Sequence, residues 1–170
     1  MNRLGDSGTS IVLHCLRDFI RLDGLSLGST GCLAWVAEQV YQCLGALRNL
    51  KFIDIAMYKA TDEGIKWIAN LIAESKIIQA VSVSCNGISE EGIKLLIYEG
   101  ILVKDSLIHL EYQQYGLKLS GELVKAIDSK LELNWIKLPH SQGLDLSSKY
   151  QYVQNFKHSP LVEFIGSVYR

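Results

Sequence analysis

Residues 78–100 read IQAVSVSCNGISEEGIKLLIYEG, and residues 50–72 read LKFIDIAMYKATDEGIKWIANLI. The two stretches align at an offset of 28. The alignment sets Leu50 against Ile78, Ile53 against Val81, Ile55 against Val83, Thr61 against Ser89, Glu63 against Glu91, Gly64 against Gly92, Ile65 against Ile93 and Lys66 against Lys94. A fixed period of this length marks a chain built by stacking one supersecondary unit. One step back from Leu50 lands on Leu22, followed by Leu25 and Leu27. One step of 29 forward from Ile78 lands on Leu107, with Leu110 and Tyr112, and Gly121 then takes the place of Gly64 and Gly92. A further step gives Leu133, Ile136 and Leu138, and another gives Leu161 and Phe164, where the match is weak.

Within each unit the hydrophobic period changes. Ile53 and Ile55 alternate with Phe52, Asp54 and Ala56, which point the other way, and Val81 and Val83 repeat the alternation, as on one face of a short strand. The pattern then becomes helical: Ile65, Ile68, Leu71 and Ile72 form one stripe, and Ile93, Leu96 and Ile97 another. Thr61 and Ser89 stand where a side-chain oxygen caps a helix start. Asp62, Glu63, Glu90 and Glu91 place negative charge in the first turns, where the helix dipole favours it; weak cation binding is the alternative use of these carboxylates. Each unit is therefore strand, turn, helix and return, and it buries its apolar face only against a neighbour. The expected strands are 23–27, 51–55, 79–83, 108–112 and 134–138. The expected helices are 31–46, 62–74, 90–103 and 120–130. The apolar positions Ile11, Leu13, Leu16, Phe19 and Ile20 predict a further helix over 8–19 that covers the first strand.

This pattern resembles the ribonuclease-inhibitor-like class of leucine-rich repeats, whose LxxLxLxxN signature is matched best by Ile78, Val81, Val83 and Asn86, followed by Ile88 and Gly92. The resemblance covers roughly residues 20–140 and departs at the asparagine, where the other units hold Thr30, Tyr58 and Tyr115. It implies an α/β leucine-rich-repeat solenoid, a short horseshoe with a parallel concave sheet and outer helices. The expected organisation is a single domain, 1–170: an N-terminal capping helix in 1–20, repeats in 21–140, and a degenerate last repeat and C-terminal cap in 141–170. Residues 161–168, LVEFIGSV, are read as a short capping helix, because Leu161, Phe164, Ile165 and Val168 keep the helical spacing; the alternatives are a sixth strand that pairs with a second copy, or a protein that continues beyond this chain.

Composition narrows the function. The net charge of −1 gives no basic excess of the kind general nucleic-acid or anionic-membrane binders need. No apolar run approaches the roughly 20 residues of a membrane span, and none resembles a secretory leader, so the expected location is cytoplasmic where the chain is made, with delivery into a host cell by a specialised secretion system as a further route. Cys15, Cys32, Cys43 and Cys85 form no CxxC pair and are expected to be free thiols, with no metal or other cofactor. Gly28-Ser29-Thr30-Gly31 precedes a helix as an anion-binding turn does, but it lacks the Walker lysine and both nucleotide fingerprints and reads as a strand-to-helix turn.

No catalytic constellation is visible, and the expected function is protein–protein recognition, as an adaptor or as a bacterial effector acting on a host protein. The alternatives are an interaction domain of a larger enzyme, or a small enzyme using Cys85, His109 and Glu111. In the family resembled, the concave face binds partners. The register puts Phe52, Asp54, Ser82, Ser84, His109, Glu111, Gln113, Trp135 and Lys137 on that face, with the aromatic residues Phe52 and Trp135 as anchors beside charges; the alternative is that a tail or loop covers Phe52 or Trp135. The partner is a protein of unspecified identity, and the chain itself is expected to be a monomer or a weak dimer through its C-terminal end.

Overall fold

In the computed structural model the described residues are 4–19, 21–30, 34–45, 47–56, 59–138 and 146–157, with side chains in the last segment described only at 148, 149 and 151–154. The elements run α1 (Gly5–Leu16), β1 (Gly24–Ser26), α2 (Trp35–Leu44), β2 (Phe52–Asp54), α3 (Thr61–Glu74), β3 (Ala80–Ser82), α4 (Glu90–Leu95), β4 (His109–Glu111), α5 (Gly121–Lys137) and α6 (Leu146–Lys157). A π-helical turn, Leu96–Ile101, continues α4. The four strands form one parallel sheet in the order β1-β2-β3-β4. Leu25, Ile53, Val81 and Leu110 stand side by side across it, as the repeat requires. Each strand contributes three residues, shorter than expected.

Leu25, Ile53, Val81 and Leu110 point into the main core, which they share with Val36 and Val40 of α2, Ile65 and Ile68 of α3, and Ile93 and Leu96 of the α4 segment. The sheet thus has one face against α2–α4 and a second face opposite them. The recurring glycines reflect close packing between successive helices. A Cβ at Gly64 would lie 3.1 Å from the Ala37 methyl, and one at Gly92 would meet the Asp62 carboxylate. Gly121 has open space around it, so its recurrence has no such steric basis.

The turns after the strands are built by side-chain amides. Asn86, fully buried, donates from Nδ2 to the carbonyls of Ile55 (2.8 Å) and Val83 (2.9 Å) and accepts from the Ala60 N–H (3.2 Å). One repeat on, the work passes to Gln114. Its Oε1 accepts from Asn86 N–H (2.8 Å) and its Nε2 donates to Val83 O (2.9 Å). Tyr115, the residue aligned with the signature asparagine, is 85% exposed. Buried backbone groups in a turn need such partners. A glutamine placed one residue earlier supplies them with a longer arm.

Two local expectations are corrected. Thr61 does not cap α3: it is the first helical residue, at φ +54°, and its N–H donates to Asn86 O (3.1 Å). The neighbouring repeat satisfies that helix start, so no hydroxyl is needed there. Ser89 does cap α4, accepting from Gly92 N–H (3.3 Å), and Ser120 caps α5 in the same way. Of the expected apolar side of the first helix, Leu13 is buried, but Ile11 and Phe19 are exposed. That helix covers the end of the core through a narrower stripe than its sequence offers.

The larger correction concerns 134–138, which is not a fifth strand. Residues 121–137 form one continuous helix. Leu123, Ile127, Leu131, Asn134 and Trp135 face inward from it, at helical spacing. Leu133 and Ile136 face outward, 56% and 63% exposed. The segment 161–168 lies outside the described residues.

Candidate functional site

The second face of the sheet carries the side chains that alternate with the core ladder. Across its first row run Gly24, Phe52, Ala80 and His109, and across its next row Ser26, Asp54, Ser82 and Glu111. The face is divided by what covers it.

One half is closed. Phe52 is 2% exposed and forms a small apolar cluster with Ala80, Ile108, Trp135 and Val153, separate from the main core. Trp135 comes from the end of α5 and is likewise 2% exposed; Val153 comes from α6. Tyr152 of α6 stacks at a tilt on Trp135, with ring centroids 5.7 Å apart, and its hydroxyl donates to Gln79 Oε1 (2.9 Å). Burial pushes the Tyr152 phenol up from its ordinary pKa, opposed by that hydrogen bond. Two expected surface aromatics, Phe52 and Trp135, are therefore buried against each other's cluster, and Ser82 is buried as well. The sequence pattern placed Phe52 on the correct face but could not reveal that the C-terminal helices return across it.

The other half is open and polar. Asp54 is half-buried. Its carboxylate accepts from the Ser26 hydroxyl (2.7 Å) and from Ala56 N–H (2.9 Å), so it organises the turn after β2. A Cβ at Gly28 would lie 3.0 Å from that carboxylate, which makes the turn after β1 a poor anion site. Ser84, in the turn after β3, donates weakly to Gln113 Oε1 (3.4 Å). On β4, His109 Nε2 lies 3.3 Å from Glu111 Oε1, both partly exposed. Asp54, Ser84, His109, Glu111 and Gln113 are all accessible to some degree. Lys137 is not on the sheet: it ends α5, 3.3 Å from Asp105, which Lys130 also approaches at 2.8 Å. These two ammonium groups hold the Asp105 carboxyl below its usual range.

Beside Gln113 a cavity of about 360 Å³ opens between the end of β4 and the start of α5, lined by Tyr112, Gln113, Gln114, Leu117, Lys118, Leu119 and Val124. The repeat spacing pointed to Tyr112 as a core position, but the cavity beside it was not foreseen, because it depends on where α5 begins. Asn134 was also missed as a structural group. It is fully buried on α5 and donates to the carbonyls of Lys104 (2.8 Å) and Leu107 (2.6 Å), fixing the helix to the turn before β4.

The chemistry available is limited. Cys15 is exposed, Cys43 buried and Cys85 half-buried, and all three are free thiols. Cys85 occupies a turn at φ +58°, and among the described residues no hydrogen bond joins its side chain to His109 or Glu111. No group of three or more His, Cys, Asp or Glu among the described residues is arranged to hold a metal. No described helix is long and apolar enough to cross a membrane.

No family model matches the sequence, and no curated protein matches it. Solved structures do. Actin-binding site 2 of leiomodin-1 superimposes with a TM-score of 0.60 at 17% identity, covering 75% of this chain and 73% of that one. The C-terminal domain of tropomodulin from Caenorhabditis elegans superimposes with a TM-score of 0.55 at 12% identity, covering 72% of this chain and 93% of that one. The chain is similar in fold to these leucine-rich-repeat-like domains: an α/β architecture with helices packed on a parallel sheet.

Proposed function

We propose that the chain is a non-catalytic protein-binding module, a short leucine-rich-repeat solenoid of the ribonuclease-inhibitor-like kind, that holds its partner on the open half of the second sheet face. One observation carries the reading: the accessible polar row of His109 and Glu111 on β4 and Gln113 just past its end runs directly into the apolar-walled cavity beside Tyr112, Leu117 and Val124. Polar groups that orient a ligand, set next to a concavity that takes an apolar side chain, are the ordinary composition of a recognition site. Asp54 and Ser84 extend the row toward the first strands. Lys137 contributes only at the rim, and Phe52, Ser82 and Trp135 act as support beneath the surface. The domain is read as α1 capping one end, repeats following it, and α5 with α6 closing the other. Adaptor and effector roles both follow from one such surface.

The likeness to a leiomodin segment named as an actin-binding site supports a protein ligand and makes actin the first purified protein to try. The test compares the intact protein with a Glu111→Lys, Gln113→Ala double variant in actin co-sedimentation and in affinity capture from cell extract. The reading expects at least one protein retained by the intact chain and weakened tenfold or more by the double variant. The same proteins held equally by both would contradict it.

A further inference from the structure

The closed half of the sheet face is a groove already occupied by a helix. Phe52, Ala80 and Ile108 form its floor, Trp135 one wall, and α6 lies in it with Val153 inserted and Tyr152 bonded to Gln79. Three features set α6 apart from the helices of the repeats. None of its described residues belongs to the main core. Its sequence, LSSKYQYVQNFK, is largely polar, and Val153 is the one fully buried side chain among those described. Lys149 is half-buried, and its desolvation outweighs the attraction of Asp128 and Glu132, so its seat is an unfavourable one. A helix whose described side chains sit on a small cluster apart from the main core opens more readily than the body that carries it.

We propose that this groove is a helix-binding site that α6 fills in cis, and that an amphipathic partner helix presenting an adjacent aromatic–aliphatic pair enters by displacing it. The occupant is argued from α6 itself, since its Tyr152–Val153 pair shows which side chains the floor and the Trp135 wall accept. With α6 out, Phe52, Ala80, Ile108 and Trp135 form an apolar strip beside the polar row at His109, so the free protein keeps this apolar surface hidden. Helix-in-groove recognition seats the apolar face of an incoming amphipathic helix on such a strip. The inference does not rest on the open half being a partner site, and a failure of that reading would leave the measurements below unchanged.

The probe is a fluorescein-labelled peptide of residues 144–157. It is titrated onto the full-length protein and onto the full-length Val153→Asp variant, whose own α6 should no longer seat. The expected result is one-to-one binding to the variant, at least tenfold weaker binding to the wild type, and no binding by a peptide carrying Val153→Asp. Equal binding to both proteins, or binding to neither, overturns the proposal. If Val153→Asp fails to fold, native-state hydrogen exchange on the wild type decides. Amides of α6 exchanging through an opening distinct from and easier than that of α3 support the latch. A single shared opening for α6 and α3 overturns it.

Discussion

Ile78, Val81 and Val83 have the same spacing as Leu133, Ile136 and Leu138, yet the first set lies in a strand region, while Leu133 and Ile136 lie on a helix and Leu138 caps its end. The difference lies upstream of the pattern. Before β3 the chain has a device that ends the helix: Ser75 leaves α3 with extended dihedrals, and its hydroxyl accepts from the N–H groups of Ile77 (3.3 Å) and Ile78 (3.2 Å). From Glu122 to Lys137 there is no glycine or proline to stop α5, and Lys, Glu, Leu and Ala favour continuing it. Once the helix runs on, the same spacing means something else: Leu131, Asn134 and Trp135 become the buried side. Apolar spacing over six residues does not separate strand from helix; the breaker before it does.

The contrast predicts a ranked series of effects. Val81→Asp would bury an unpartnered carboxylate between Ile53 and Leu110 and should destabilise the protein by about 4 kcal/mol or more, enough to prevent folding. A cooperative thermal transition near that of the parent would contradict the core ladder. Phe52→Ala comes next, at about 3–5 kcal/mol, because it empties the centre of the closed cluster. On a surface-anchor assignment the same change would leave denaturant unfolding untouched. Asn86→Ala removes buried bonds to two carbonyls and should cost about 2 kcal/mol, read as a lower urea midpoint at unchanged slope. Smallest are Ser89→Ala and Ser120→Ala, about 1 kcal/mol each, with Thr61→Ala smaller than either because no cap is lost there.

The sequence made the stacked units legible because period and composition agree over Leu50–Gly100: alternation in the strand, a polar turn, acidic residues at the helix start, then a helical stripe. What it hid are features made by distant segments meeting. The burial of Phe52 depends on α5 and α6 returning over the sheet, and α6 is too polar to announce a buried face. Gln114 substitutes for an asparagine one place out of register, which alignment by spacing passes over. The accessible part of the expected partner face, from Asp54 to Gln113, follows directly from strand alternation. For the aromatics, alternation left two readings, exposed anchor or covered side chain, because it gives the face and says nothing of what lies on it; Phe52 and Trp135 are covered.

The most direct test of the account uses two adjacent residues. As a strand, 134–138 would turn Ile136 inward and Trp135 outward. As the end of α5 it does the reverse, with Trp135 2% and Ile136 63% exposed. Thermal unfolding of Trp135→Asp and Ile136→Asp, measured side by side, separates the two. The account predicts that Trp135→Asp loses its cooperative transition or melts far below the parent, while Ile136→Asp melts with it. The opposite ranking would contradict it.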